Sequence, residues 1–347
     1  MTESGPGSLR KRLLLIALVI LLAMGIPLWM VLSPAWQDPV KFFENRRSQS
    51  FQYRLHSSWN ENGLVIQSLR ISGMRQSFGG EYNVEFDAYC CAPEHSERLL
   101  PGFVLLGGVH TGREAVQVIT SRPDIARLGM FVTLDYPYSG PLYFEGLEIL
   151  PHLSEIRRSL FDGVEAIRLA IDYLEDQKGV DASRIVLVGV SLGAFFTVDA
   201  GAVDARPAAV MSFMGGGDIK SILELNLRRG ELVPYSFLIK PISSLAALLI
   251  RPLETTRLVG EISPRPYIQI SARDDTFIPE ENALALYRTA GEPRRLIWIS
   301  TPHLMPGMEE IMEQMIAIAG EELIQWGIFQ ETDFPNPKMI EGELPSP

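Results

Sequence analysis

Hydrophobic and polar positions change character three times along the chain. Leu13 to Leu32 (LLLIALVILLAMGIPLWMVL) is a run of twenty residues without a charge. At about 1.5 Å per residue a helix of that length spans about 30 Å, the thickness of a bilayer core. Residues 33–50 (SPAWQDPVKFFENRRSQS) read as a juxtamembrane connector. Leu64–Ile71 and Tyr82–Tyr89 then alternate apolar and polar positions, as half-buried strands do. Beyond them, short apolar runs are separated by longer amphipathic stretches. These runs are Phe103–Leu106, Met130–Leu134, Ile185–Val188, Ala208–Met214, Tyr267–Ile270 and Leu296–Ile299. Continuous apolar runs of that length predict strands buried on both faces. Leu160, Val164, Ile167, Ile171 and Leu174 recur at helical spacing and mark one face of a helix. Strands alternating with helices predict an α/β domain with a mostly parallel sheet covered on both sides, over residues 51–330. No internal repeat is present. The stretch 331–347, rich in Pro and Glu, reads as a disordered tail.

The flanks of the apolar run bear on topology. Arg10, Lys11 and Arg12 precede it, and Trp29 and Trp36 lie near its far end. Positive charge on the N-terminal flank favours a cytoplasmic location for residues 1–12, and tryptophans suit an interface. The expectation is an uncleaved single-pass anchor over 13–32 with the folded domain outside the cytoplasm. Pro27 does not exclude a span. A cleaved signal peptide is the rival, but its apolar region is usually shorter, and no A-x-A site stands near the end of this one.

Charge narrows the class of partner. The 347 residues include 42 acidic and 31 basic side chains, a formal net charge of −11. A nucleic-acid binder more often presents a basic face, so no nucleic-acid partner is expected. Cys90 and Cys91 are the two cysteines. Neighbours on a strand point to opposite faces, so they predict two buried thiols rather than a staple. Neither a zinc-like Cys/His cluster nor a P-loop, dinucleotide fingerprint or HExxH is present, and no cofactor or metal is expected.

The sharpest chemical signal is Arg184–Gly193, RIVLVGVSLG. A buried strand runs into Gly189-Val190-Ser191-Leu192-Gly193, and small or apolar residues follow, as a buried helix requires. This is G-x-S-x-G in a strand–turn–helix context. The turn is tight enough to need small residues two before and two after the serine. It lifts the Ser191 hydroxyl off the sheet edge at a helix N-terminus, where the N–H of Leu192 can face a developing oxyanion. A serine is a weak nucleophile at its ordinary pKa and needs a base held by a third group. His303, after the last predicted strand, is the one histidine beyond Ser191; His56, His95, His110 and His152 precede it. Asp274 and Asp275, after the strand Tyr267–Ile270, are the candidate acids.

These stretches resemble the α/β-hydrolases, in particular the prolyl-oligopeptidase-like and dienelactone-hydrolase-like branch. Gly179-Val-Asp-Ala-Ser-Arg184, Gly189–Gly193 and Asp275-Thr-Phe-Ile-Pro279 carry the likeness, which covers about residues 80 to 325. The resemblance implies the chain order Ser191, acid, His303, and an acid placed four residues before a proline. That register selects Asp275, with Asp274 the alternative. It also implies a second oxyanion donor in the loop Gly107-Gly108-Val109-His110-Thr111-Gly112, with the N–H of Val109 or Gly108 favoured. Related enzymes usually start that loop with His-Gly, and this chain does not. Asp135-Tyr-Pro-Tyr-Ser-Gly140 resembles the loop beside the family's active site, so Tyr136 and Tyr138 are candidate substrate-binding residues. Residues 217–257, rich in Leu and Ile, fall where the family commonly places a cap; an elaborated pair of packing helices is the plainer reading.

The expected activity is hydrolysis of a carboxylic ester through an acyl-enzyme. A prolyl-oligopeptidase-like peptidase is the runner-up, although only about fifty residues separate the apolar run from the fold, too few for propeller blades. A membrane-tethered binding domain that kept the fold without catalysis is the remaining alternative.

Overall fold

In the computed structural model the described residues are 29–330, apart from 30, 78, 109–111, 142, 143, 145, 231, 232 and 234. Most of the run Leu13–Leu32 and the tail 331–347 lie outside them. Among the described residues no helix is long and apolar enough to cross a membrane.

The strands are β1 (Ser50–Glu61), β2 (Leu64–Ser77), β3 (Gly80–Pro93), β4 (Leu100–Leu106), β5 (Met130–Leu134), β6 (Val180–Val190), β7 (Ala209–Phe213), β8 (Tyr267–Ala272) and β9 (Arg294–Ile299). They form one sheet in the order β1-β2-β3-β5-β4-β6-β7-β8-β9. β5 through β9 in that order pair in parallel, and β1, β2 and β3 add an antiparallel meander at one edge. The parallel strands are the short apolar runs of the sequence. β7 and β8 are buried at every position and carry no charge; the two polar side chains of β8 that share a face, Gln269 and Ser271, are satisfied internally, Gln269 Nε2 donating to Ser271 Oγ at 3.1 Å and to the Ala283 carbonyl at 2.9 Å. β6 starts five residues earlier than its apolar run, and its pairing with β4 is irregular between Pro101 and Gly102.

Helices cover both faces. On one side α4 (Leu153–Asp176) and α5 (Leu192–Val203) pack on β2–β6 through Phe161, Val164, Ile167, Ile171, Phe196 and Val198. On the other, α2 (Arg113–Thr120), α3 (Pro123–Ala126) and α9 (Glu309–Gln325) meet Phe103, Phe131, Val186, Met211 and Ile268. Each fully buried Leu, Ile, Val or Phe is worth about 1.5–3 kcal/mol relative to exposure, so these two layers supply most of the driving force. Cys90 and Cys91 are free and buried on the two opposite layers, and burial pushes their thiols up to about 12 and about 11. They are poor nucleophiles there.

The stretch read as a connector is packed into the domain. α1 (Pro39–Glu44) starts after Asp38, whose side chain accepts the Lys41 N–H at 3.0 Å, with Pro39 in the first turn. Phe42 and Phe43 insert beside Phe161, with ring centroids 4.9 and 6.4 Å away. Arg46, Arg75 and the Tyr82 hydroxyl converge on Asp162 at 2.7, 3.0 and 2.6 Å, and Arg47 bonds Glu165 and Asp172 on the same helix. Asp162 is buried. Its charge is tolerable only because both oxygens are taken by donors from three separate segments. That cluster fixes how residues 38–48 lie on α4.

Residues 217–257 hold two helices, α6 (Ile219–Arg229) and α7 (Ser236–Leu249), followed by short 3-10 turns that return the chain to β8. α8 (Glu280–Thr289) lies between β8 and β9.

Candidate active site

β6 delivers the chain to Ser191 at the C-terminal edge of the sheet. Ser191 takes φ 55° and ψ −118°, a conformation that L residues rarely adopt. Two constraints hold it there: its N–H bonds the Phe213 carbonyl at 2.8 Å, and α5 begins at the next residue. A Cβ on Gly189 would collide with Thr197 Oγ1 and the Gly193 carbonyl. One on Gly193 would strike the Leu106 carbonyl and lie 2.6 Å from that of Gly107. The two glycines are therefore needed by close approach of helix to strand and of turn to loop. The Gly193 N–H closes the second contact, bonding the Gly107 carbonyl at 3.0 Å.

The candidate base and acid come from the loops after β9 and β8. His303 Nε2 lies 2.8 Å from Ser191 Oγ, and His303 Nδ1 lies 2.6 Å from Asp275 Oδ2. Asp275 Oδ1 accepts the N–H groups of Phe277 and Ile278 at 2.8 and 2.9 Å. A carboxylate only accepts, so Nδ1 carries the proton that it shares with Asp275. Nε2 then offers a lone pair to the Ser191 hydroxyl. The His303 and Asp275 side chains are 7% and 2% exposed, which excludes water from the pair and strengthens its electrostatics. Asp274, by contrast, is exposed, and its N–H bonds the Thr301 carbonyl. Burial separates the two adjacent candidates.

Leu192 is the first residue of α5, where a backbone N–H has no intrahelical acceptor. Gly107 and Gly108 follow β4 directly. Val109 and His110 lie outside the described residues, so of the second-donor candidates only Gly108 can be placed, in the loop whose Gly107 carbonyl is tied to Gly193. Tyr136 anchors the same loop: its hydroxyl donates to the Gly107 carbonyl at 3.1 Å, and its ring packs 5.2 Å from Phe196. Burial raises its pKa, so it is a neutral donor. Tyr138 turns away, its hydroxyl donating to the Pro141 carbonyl at 3.1 Å.

Several features were not anticipated from sequence. Phe277 sits beside the base, with ring centroids 5.1 Å apart. The Asn226 side-chain amide and the Arg229 guanidinium of α6 donate to the Phe277 and Thr276 carbonyls, latching residues 217–257 to the acid loop. Met214, at φ 51° just after β7, accepts the Leu304 N–H on its sulfur at 3.0 Å and steadies the residue next to His303. An apolar cavity of about 180 Å³ lies between the sheet and α9, lined by Phe103, Ile119, Phe131, Met211 and Phe329, and no triad residue borders it.

Asp199, two turns beyond Ser191 on α5, was not anticipated either. It is fully buried, and neither carboxylate oxygen has a hydrogen-bond partner. Burial, with a smaller contribution from Glu254, raises its pKa well above the ordinary 3.8. A lone acid in the otherwise apolar LGAFFTVDAGAV was the available signal. Because the folded-state pKa is the higher one, the folded state holds a proton that the unfolded chain releases above about pH 4. Stability contributed by this group therefore falls as pH rises from about 4 towards the folded-state pKa. Asp199→Asn removes that term. The variant is expected to melt a few degrees higher than the parent at pH 7, with the gap closing towards pH 4. A gap that widens on acidification would show that Asp199 is ionised in the fold.

No protein-family model matches the sequence, and no curated protein matches it. Solved structures do. An acetyl xylan esterase from Thermoanaerobacterium sp. JW/SL YS485 superposes with a TM-score of 0.58 at 15% identity, covering 85% of this chain and 94% of that one. An acetyl xylan esterase from Paenibacillus sp. R4 gives 0.56 at 18% identity, covering 81% and 92%. A glucuronoyl esterase from Solibacter usitatus gives 0.52 at 16%, covering 84% and 92%. At such identities the likeness establishes architecture, and the architecture is the α/β-hydrolase fold.

Proposed function

We propose that the protein is a serine hydrolase of carboxylic esters, held in a membrane by Leu13–Leu32 with its folded domain outside the cytoplasm. The observation that carries the catalytic part is the continuous relay from Ser191 through His303 to Asp275, with both heavy-atom distances below 3 Å. Ser191 Oγ attacks the ester carbonyl while His303 Nε2 takes its proton. Asp275 stabilises the imidazolium. The N–H of Leu192, with that of Gly108 or Val109, receives the oxyanion. His303 then returns the proton to the departing alcohol, leaving an acyl group on Ser191. Water, deprotonated by His303, releases the acid. Esters are favoured over peptide amides because the structural neighbours are named as esterases.

Residues 217–257, latched beside His303, supply an apolar wall for the acyl or alcohol group. Each buried methylene is worth about 0.8 kcal/mol, of which a pocket realises part. The ratio kcat/KM is expected to rise about two- to threefold per carbon from acetyl to hexanoyl p-nitrophenyl esters and then to level off. Efficient cleavage of a proline-containing peptide amide, beside a flat ester series, would replace the esterase with the peptidase.

Topology has its own test. The basic triplet Arg10–Arg12 before the charge-free run supports a cytoplasmic N-terminus. Protease added to intact cells or spheroplasts should digest the folded domain, and mass spectrometry should recover the original N-terminal peptide. A protected domain reverses the orientation. A mature terminus near Ser33 shows a cleaved signal.

A further inference from the structure

Three arginines fasten the chain's entry into the domain onto the segment between β7 and β8. Arg157, one turn into α4, donates to the Val31 carbonyl at 2.8 Å and to the Leu249 carbonyl of α7 at 2.7 Å. Arg251 donates to the Ala35 carbonyl at 2.7 Å, and Arg257 to that of Gln37 at 3.1 Å. The residues that leave the apolar run are thus hydrogen-bonded alongside α7 and the start of α4.

That junction is surrounded by exposed apolar side chains. Trp29 and Trp36 flank the entry itself. On α7 and just before it, Tyr235, Phe237, Ile242 and Leu245 face outwards, Phe237 at 73% exposure. Leu147, Leu150 and Leu153 lead into α4, with Leu147 at 78% and Leu153 one turn from Arg157. Single exposed apolar residues on a surface need no explanation, but nine of them on or next to the segments that these arginines tie together call for one. Charge sorts with it. Residues 217–257 carry six basic and four acidic side chains in a chain whose net charge is −11, and Lys240 is the one charge on α7.

We propose that this apolar face rests in the interface of an anionic lipid bilayer, so that the domain lies on the membrane rather than standing off it. This rests on the anchored-hydrolase reading and extends it. The occupant follows from chain continuity. Leu13–Leu32 ends where the face begins, and hydrogen bonds at Val31, Ala35 and Gln37 leave no free tether between them. A membrane that holds the run must therefore lie beside Trp29, Phe237 and Leu147. Exposed aromatic and leucine side chains sink into the headgroup–acyl boundary, and flanking cations meet anionic lipids. α6 packs on α7 and is latched to the Thr276–Phe277 loop, whose Phe277 ring lies beside His303, so the face is joined to the candidate site through one helix.

The test uses the full chain in vesicles of phosphatidylcholine with a minority of phosphatidylglycerol. Single cysteines are introduced as Phe237→Cys, Leu147→Cys and, just before the start of β6 at the opposite end of that strand from Ser191, Lys178→Cys, and each is labelled with an environment-sensitive nitrobenzoxadiazole dye. Cys90 and Cys91 are buried and do not compete. Each variant is first required to melt at the temperature of the parent. Flotation reports the anchor; quenching by lipids carrying a nitroxide near the headgroup reports the face. Labels at 237 and 147 are expected to be quenched about twofold or more, and the label at 178 to be unaffected. Protein that floats with the label at 237 or at 147 unquenched overturns the proposal and leaves the anchor standing. Protein that does not float overturns both. Emission at 237 that tracks protein concentration in detergent instead of lipid assigns the face to a second copy of the chain.

Discussion

Ser191→Ala is expected to lower kcat for ester hydrolysis by about four to six orders of magnitude while leaving the fold intact. The effect is large because the three side chains act as one unit. Without Oγ, His303 has nothing to deprotonate except water, and no acyl-enzyme forms. The residual rate comes from the oxyanion donors and from binding alone. Covalent labelling by an organophosphonate should vanish with the turnover. The melting temperature should stay level or rise slightly, since the side chain lost is small and its main contact is the hydrogen bond to His303. The same variant separates enzyme from binding module. A folded Ser191→Ala protein that is labelled like the parent removes Ser191 from the mechanism. A parent with no turnover and no labelling points to a fold kept for binding.

Most of this frame was legible in the chain, and the physical reason is burial. Strands covered on both faces have no room for charge, so β4, β5, β7 and β8 announce themselves as short uncharged runs; β9, an edge strand that opens with Arg294 and Arg295, shows only as the apolar stretch Leu296–Ile299. The face of α4 shows the helical period for the same reason. β1 was not legible. All but one of its positions are exposed, and as an edge strand it has only β2 to pair with. SFQYRLHSSWNE therefore lacks a buried set to enforce alternation. The docking of residues 38–48 was hidden for a different reason. Arg46 meets Asp162 across 116 residues and Arg47 meets Asp172 across 125, and no local pattern encodes such pairs.

The site divides in the same way. Ser191 was legible because its neighbours must be small, and His303 because no other histidine follows. What positions them was not. Met214, Phe277 and the latch from Asn226 and Arg229 are ordinary residues whose roles arise from where the fold brings them. Nor does any local pattern announce that the Tyr136 hydroxyl bonds the loop carbonyl of Gly107.

The choice between Asp274 and Asp275 yields the other large expected effect. Asp275→Asn is expected to reduce kcat/KM by about three to four orders of magnitude, against less than about twofold for Asp274→Asn. The asparagine carbonyl can still accept the Phe277 and Ile278 N–H groups that now go to Asp275 Oδ1. Its NH2 then faces His303 Nδ1, which must become an acceptor. The imidazole proton moves to Nε2, and the lone pair that should receive the Ser191 proton is gone. The imidazolium also loses the buried anion that would stabilise it. None of this applies at 274, where the side chain is in solvent and the contact to the Thr301 carbonyl is made by the backbone N–H. Steady-state kinetics on one p-nitrophenyl ester, with both variants shown to be folded by circular dichroism, settles the assignment. Equal losses, or a larger loss at 274, would mean that the carboxylate orienting His303 during turnover is not the one hydrogen-bonded to it here.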